Sequence, residues 1–286
     1  MGQLDSGLEA DLQQFKMYLH ERNKEASTVK IYACEIRRFL EWMQQQSKEL
    51  SQIRPEDVIS ASYALHEQNA SYATINKSIS IVSSFFKWAK ERGRVASNPA
   101  EHIRLLTQDK AEPPRWLSEE EEARLVQVAV KERNTFKRTR NEALVAVMLY
   151  AGLRVDEVSQ LRLESLRNEA LIVYEDDAEA RRVPIDETTR QKLQAWLAER
   201  MQAGKREYAE SPFLFVTERS GKMQPRAIQF VIEGFSERLG FPILCQYLRH
   251  TYCRRLAERG VPLERIKQQA GHKATLTTWR YFAGLK

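Results

Sequence analysis

Residues 143–158 read Ala143-Leu144-Val145-Ala146-Val147-Met148-Leu149-Tyr150-Ala151-Gly152-Leu153-Arg154-Val155-Asp156-Glu157-Val158. From Asn141 to Leu153 the chain is apolar on nearly every side, which predicts a central buried helix rather than an amphipathic surface one. The apolar run from Ala143 to Leu153 is about half of the ~20 residues a membrane-spanning helix needs. The helix ends at Gly152, and Arg154 stands on the turn before the next helix, with Glu157 in that helix's first turn. A helix buried on all sides requires covering elements. With 42% hydrophobic and 29% charged residues in 286, the chain has material for a core and a wet surface. That balance excludes a disordered tail, a collagen-like fibre and a disulfide-stapled mini-protein. Cys34, Cys245 and Cys253 are odd in number and lack metal-ligand spacing, as expected in a reducing cytoplasm. The opening Met1-Gly2-Gln3-Leu4-Asp5 lacks the basic and apolar blocks of a signal peptide. A soluble intracellular protein with no membrane partner is expected.

Upstream, the periodicity is helical. Leu8, Leu12, Phe15 and Leu19 share one stripe, and Tyr32, Ile36, Phe39, Leu40 and Met43 another. Pro55 with Glu56 and Asp57 suits the first turn of a third helix. Ile75, Ile79, Val82 and Phe86 mark a fourth, stopped by Arg92-Gly93-Arg94. Residues 1–104 therefore read as a four-helix domain. Residues 105–117, with Lys110, Pro113, Pro114 and Arg115, read as a stiff basic linker. Ser118 followed by Glu119, Glu120 and Glu121 caps a new helix and opens a second domain, 118–286. There Leu171-Ile172-Val173-Tyr174 and Arg182-Val183-Pro184-Ile185 predict two short strands around an acidic turn. Asp186 caps a helix, and Phe213-Leu214-Phe215-Val216 reads as a further strand. The expected fold is mainly α: a four-helix domain, then a mostly helical α+β domain with a small antiparallel sheet.

Charge is concentrated. The net charge is +6, and Cys245 to Lys286 alone holds nine basic and two acidic residues. Lys77 to Arg94 holds five basic residues and one acidic. Clusters of that kind suit a phosphate backbone, because each phosphate neutralised releases counterions. Lys77, Lys87 and Arg94 on the fourth helix and Arg254 and Arg255 near the C-terminus are the candidate nucleic-acid contacts. A solvated charged face is the ordinary alternative for each.

Three further segments gather polar groups beside apolar helices: the Gly152-Leu153-Arg154 turn, Gln246-Tyr247-Leu248-Arg249-His250-Thr251, and Gly271-His272 followed by Tyr281. Two arginines, a histidine and a tyrosine suit phosphodiester transfer. Guanidiniums stay charged and bond non-bridging oxygens in pairs. A tyrosine hydroxyl can attack phosphorus, provided it loses its proton during the step. Taken singly, each residue also has a structural reading: a surface Arg, a Gly-His helix cap, a packed Tyr.

In order and spacing these boxes resemble the signature of the tyrosine recombinases, the phage integrase family, over nearly the whole chain. The resemblance implies that Tyr281 is the nucleophile, forming a 3′-phosphotyrosine and freeing a 5′-hydroxyl. It implies that Arg154 and Arg249 hold the scissile phosphate, that His272 bonds a non-bridging oxygen, and that Glu157 supports the arginine turn. It implies no metal and no cofactor. Double-stranded DNA at a specific site is the implied partner, clamped between the two domains by a homo-tetramer on paired sites. The short two-domain type serves resolution or integration of a replicon or mobile element, in the cytoplasm at the nucleoid. Rival readings are an architectural DNA-binding protein with a decayed site and a type IB-like topoisomerase.

Two positions depart from the family pattern. Gln246 stands where a histidine is usual, and an amide is no general base. Asp176 stands where the family has a hairpin lysine that protonates the departing 5′ oxygen, and no lysine occurs from Leu171 to Asp186. Three replacements are considered: Arg181 or Arg182 with water, Asp176 itself as the acid, or a lysine entering from elsewhere. Only five residues follow Tyr281, so a large C-terminal exchange between protomers is not expected.

Overall fold

Four helices build the first unit: α1 (Ser6–Glu21), α2 (Ala26–Gln45), α3 (Pro55–Ala64) and α4 (Tyr72–Glu91). Each start follows local chemistry. The Asp5 carboxylate accepts from Leu8 N at 2.8 Å, Pro55 occupies a first-turn position, and Ser71 Oγ accepts from Thr74 N at 3.2 Å. The predicted stripes face inward, where Phe15, Phe39, Phe85, Phe86 and Trp88 are fully buried. Phe15 meets Phe85 edge-on with ring centroids 5.3 Å apart, a favoured aromatic arrangement. The computed structural model describes residues 4–64, 66, 70–105, 114–167, 169–175, 178–204, 208 and 210–285. The chain folds as two compact units, Met1–Ala111 and Glu112–Lys286. Most of the expected linker, 106–113, lies outside the described residues.

The second unit runs α5 (Glu119–Val130), α6 (Thr135–Leu149), α7 (Val155–Gln160), β1 (Leu166–Arg167), β2 (Ala170–Glu175), β3 (Ala178–Pro184) and α8 (Glu187–Gln202). It continues with α9 (Pro225–Leu239), α10 (Cys245–Glu258), α11 (Leu263–Ala270), α12 (Thr275–Trp279) and a 3-10 turn, Arg280–Phe282. Helix α6 is the buried helix read from the sequence, with Ala143 to Leu149 all buried. It starts earlier than Asn141, because Asn134 caps it by accepting from Lys137 N at 2.9 Å. It stops at Leu149, leaving Tyr150 to Arg154 as a turn.

The sheet is antiparallel in the order β1-β2-β3. Leu171 pairs with Val183 and Val173 with Arg181. Because strand side chains alternate, Val183 and Arg181 share the inward side of β3. Phe213 to Val216, expected as a strand, forms none. Phe213 makes a single bridge with Arg162, and the third strand is the short β1. Leu214, Phe215 and Val216 are buried, so their apolarity records packing rather than ladder pairing.

Candidate active site

Two glycines shape the site. Gly152 ends the α6 turn at φ +65 and Gly271 ends α11 at φ +62, both left-handed conformations that favour glycine. A Cβ on Gly152 would lie 2.2 Å from Tyr252 Cδ1, and one on Gly271 would lie 3.0 Å from Arg181 Nη1. Each carbonyl then takes a guanidinium from the other side of the site. Arg249 Nη1 donates to Gly152 O at 2.6 Å, and Arg154 Nη2 donates to Gly271 O at 2.7 Å. Arg249 Nη2 donates to Ala270 O. The two arginines are thus cross-braced through the ends of two helices.

Glu157 ties the braces together. Arg154 cannot cap α7 with its own side chain, and the Glu157 carboxylate instead accepts from Arg154 N at 2.7 Å. It also accepts from Arg154 Nη1 at 2.8 Å and from Arg181 Nη1 and Nη2 at 3.0 and 2.8 Å, and lies 3.9 Å from Arg249 Nη1. Burial alone would raise its pKa. Its bonds and charge contacts with Arg181 and Arg154 outweigh that and hold it below the usual carboxylate range. Arg249 is the mirror case: burial, then the charge of Arg154, lowers its pKa, yet a guanidinium stays charged at working pH. Arg154 keeps 41% of its side chain exposed against 7% for Arg249, so Arg154 is the more accessible cation.

His272 follows Gly271 directly and is buried, with Nδ1 2.9 Å from Thr278 Oγ1. Burial, assisted by Arg249 and Arg154, lowers its pKa to about 4, so the ring is neutral at pH 7. The Tyr281 ring is almost parallel to that imidazole, 13° apart at 6.0 Å between centroids. Tyr281 is buried with Cys253, Ile266 and Ala270. Burial and the nearby Cys253 push its phenol up, while Arg249 and Arg154 pull it back. Such a phenol is neutral at pH 7 and would have to lose its proton to serve as a nucleophile. Arg154, Arg249, His272 and Tyr281 therefore meet in one place.

Other expected residues fall differently. Arg181, considered as a stand-in for the hairpin lysine, has a side chain only 10% exposed; Nη1 and Nη2 bond Glu157 and Nε bonds Gln269 O at 2.9 Å. All three of its nitrogens are thus engaged by Glu157 and the Gln269 carbonyl. Arg182 pairs with Glu179 at 3.2 Å in an exposed position. Asp176 lies outside the described residues. Gln246 Nε2 lies 3.1 Å from His250 Nε2, and His250 Nδ1 lies 3.0 Å from Arg115 O. The two contacts are consistent if Nδ1–H donates to the carbonyl and Nε2 accepts from the amide, which fixes Gln246 rather than making it a base. Lys77 and Lys87 are exposed on α4, while Arg94 bonds the buried Asp11 at 2.8 Å. Arg254 donates to Tyr281 O at 3.0 Å and Ala283 O at 2.7 Å, pairs with Glu258 and stacks 4.6 Å over Trp116. Arg255 bonds Glu122 and lies over Tyr150. Both Arg254 and Arg255 are thus engaged within the fold. Thr278 and the anchoring role of Arg254 were not legible in advance; a hydroxyl residue six places after a Gly-His was the one available hint. Among the described residues, no three His, Cys, Asp or Glu gather as a metal site would require.

Comparison with known proteins covers both units. Residues 115–286 match the Phage integrase family, and residues 12–93 match the Phage integrase, N-terminal SAM-like domain. Tyrosine recombinase XerD of Oceanobacillus iheyensis is 25% identical over 281 residues, spanning 96% of this chain and 93% of that one. Tyrosine recombinase XerA of Pyrococcus furiosus is 24% identical over 278 residues, spanning 94% and 88%. The Tn1549 transposon integrase, solved with circular intermediate DNA, shares the fold with a TM-score of 0.77 at 19% identity over 96% of each chain. XerH recombinase, solved on a palindromic difH substrate after cleavage, gives 0.74 at 18% identity over 95% and 80%.

Proposed function

The chain belongs to the phage integrase family of tyrosine recombinases, and on that premise we propose a role for each group gathered around Tyr281. The protein is a site-specific DNA recombinase, an enzyme that breaks and rejoins duplex DNA. Tyr281 Oη attacks the scissile phosphorus, giving a 3′-phosphotyrosine and a free 5′-hydroxyl. Arg154 and Arg249 stabilise charge on the non-bridging oxygens, and their bracing by Gly271 O, Gly152 O, Ala270 O and Glu157 means little reorganisation during the step. Neutral His272 donates from Nε2 when Thr278 Oγ donates to Nδ1. Arg254 holds the nucleophile's backbone through two carbonyls. The phenolic proton passes to solvent. The single observation that carries the reading is the cross-bracing of the two arginines beside the His272–Tyr281 stack.

The biological setting follows from the same reading. The protein works as a homo-tetramer on two paired sites, at the nucleoid in the cytoplasm, resolving or integrating a replicon or mobile element. Exposed Lys77 and Lys87 on α4 supply phosphate contacts. Among the described residues no helix is long and apolar enough to cross a membrane.

The test uses a binding site selected from random duplexes, cloned once or twice on a supercoiled plasmid. Wild type should convert only the two-site plasmid to recombinant circles, and Tyr281→Phe should convert neither. Relaxation of the one-site plasmid without recombinants would mark a topoisomerase. Tight binding with no strand breakage would mark an architectural protein.

A further inference from the structure

Strand transfer as proposed above leaves one task open: a proton must reach the 5′ oxygen as it departs. The hairpin that would present the family's lysine has none between Leu171 and Asp186. Arg181 is locked by Glu157 and Gln269 O, and Arg182 alternates to the other side of β3, beside Glu179. A guanidinium is in any case a poor proton donor, since it holds its proton at every working pH.

One ammonium sits at the junction of hairpin and site. Lys273 directly follows His272 in the turn between α11 and α12. Its side chain is 94% exposed, and Nζ lies 3.9 Å from Glu175 Oε1 at the end of β2, where the hairpin turns. That pairing places the amine across from the strand end that would carry the missing lysine. An ion pair between two exposed side chains is weak, so DNA phosphate can displace Glu175 and draw the four-carbon stem inward. Lys267, on α11, is instead bonded to Thr275 Oγ1 at 2.9 Å.

We propose that Lys273 is the catalytic acid that protonates the departing 5′ oxygen. As the Tyr281 Oη–P bond forms, the P–O5′ bond breaks and its electron pair remains on O5′. O5′ takes a proton from Lys273 Nζ, and the neutral amine recovers one from water, into which the phenolic proton has passed. Rejoining runs in reverse: the ammonium first returns its proton to water, the neutral amine accepts the proton of the attacking 5′-hydroxyl as the P–O5′ bond forms, and the Tyr281 Oη–P bond breaks to a phenolate that takes a proton from water. The assignment rests on the recombinase reading and is tested separately from it.

The test compares wild type, Lys273→Ala, Lys273→Arg and Tyr281→Phe on two DNA substrates, one with an ordinary scissile phosphate and one with a 5′-bridging phosphorothiolate. The second carries a leaving group that needs no proton. Both substrates carry the selected binding site, and covalent adduct is measured in single turnover. Because Lys273 is fully solvated, its variants should melt with wild type. Lys273→Ala should lose about 100-fold on the ordinary substrate, within the range of general acid catalysis. It should fall within a few fold of wild type on the phosphorothiolate. Lys273→Arg should behave as Lys273→Ala does. Equal loss on both substrates, or no loss on the ordinary one, would overturn the assignment while leaving the recombinase reading in place. If wild type forms no adduct on either substrate, the recombinase reading fails and this assignment fails with it.

Discussion

Replacing Glu157 by Gln removes one negative charge from among three guanidiniums and leaves the shape nearly unchanged. The carboxylate side chain is 15% exposed, with Arg154 and Arg181 both at 2.8 Å and Arg249 at 3.9 Å. An amide offers one acceptor oxygen, and its NH2 would face guanidinium donors. Breaking a buried ion pair by removing one partner costs about 3–5 kcal/mol, because the remaining charges lose compensation. Against a domain stability of about 5–15 kcal/mol, a loss of about 4 kcal/mol is a large share. With a urea slope of about 2 kcal/mol per molar, the unfolding midpoint should fall by about 2 M. The assay is urea unfolding of wild type and Glu157→Gln at pH 7, followed by cleavage at low denaturant, where both are folded. Cleavage should fall on the order of 100-fold, since Arg154 loses the bond that fixes its guanidinium. The pH dependence has a definite sign. The folded pKa of Glu157 is depressed, so its stabilisation is present above the unfolded value of about 4.3 and is lost as pH falls through the folded value. Glu157→Gln should therefore lack part of the wild-type acid limb. A midpoint within 0.3 M (roughly 0.6 kcal/mol at that slope), with cleavage intact, would refute the account of Glu157 as the common brace.

Three other perturbations test neighbouring parts. Gly152→Ala combines a left-handed backbone, about 1–2 kcal/mol, with a clash on the Tyr252 ring, about 1–3 kcal/mol; a loss below about 1 kcal/mol in urea would contradict the geometry. Since His272 is lowered to about 4 when folded and lies near 6.5 unfolded, the unfolded chain binds more protons between those values. Stability should then fall as pH drops from 6.5 toward 4, by on the order of 2 kcal/mol. His272→Gln should flatten that slope, and an unchanged slope would show that another group titrates. Arg254→Ala removes two charge-assisted bonds to Tyr281 O and Ala283 O, so backbone amides from 275 to 285 should exchange about tenfold or more faster; unchanged exchange would show that packing alone holds the Tyr281 segment.

What could be read in advance was what is local in sequence. The helix stripes, the caps at Ser118 and Asp186 and the buried α6 each depend on spacing within a few turns, and all form. Glu157 stands three residues after Arg154, so with the family resemblance its support of the arginine turn was visible. Arg181 was not: its partners Glu157 and Gln269 lie 24 and 88 positions away, and only the β2–β3 register turns its side chain inward. In the sequence Arg254 reads as a candidate phosphate contact, because positive charge looks the same whether it faces solvent or a carbonyl. Its partners lie 27 and 29 residues downstream, and nothing in the sequence pairs them. Phe213 to Val216 shows the same limit for strands, since a short apolar run signals burial without saying what it pairs with.

The central claim is that the Tyr281 hydroxyl becomes joined to DNA beside Arg154 and Arg249. The direct measurement is to trap the complex on its selected site, digest protein and DNA, and identify the modified peptide and the DNA end by mass spectrometry. The account predicts one phosphotyrosine, at Tyr281, carrying a 3′-phosphoryl end opposite a free 5′-hydroxyl, and none from Tyr281→Phe. A link through another residue, or through a 5′ phosphate, would contradict it.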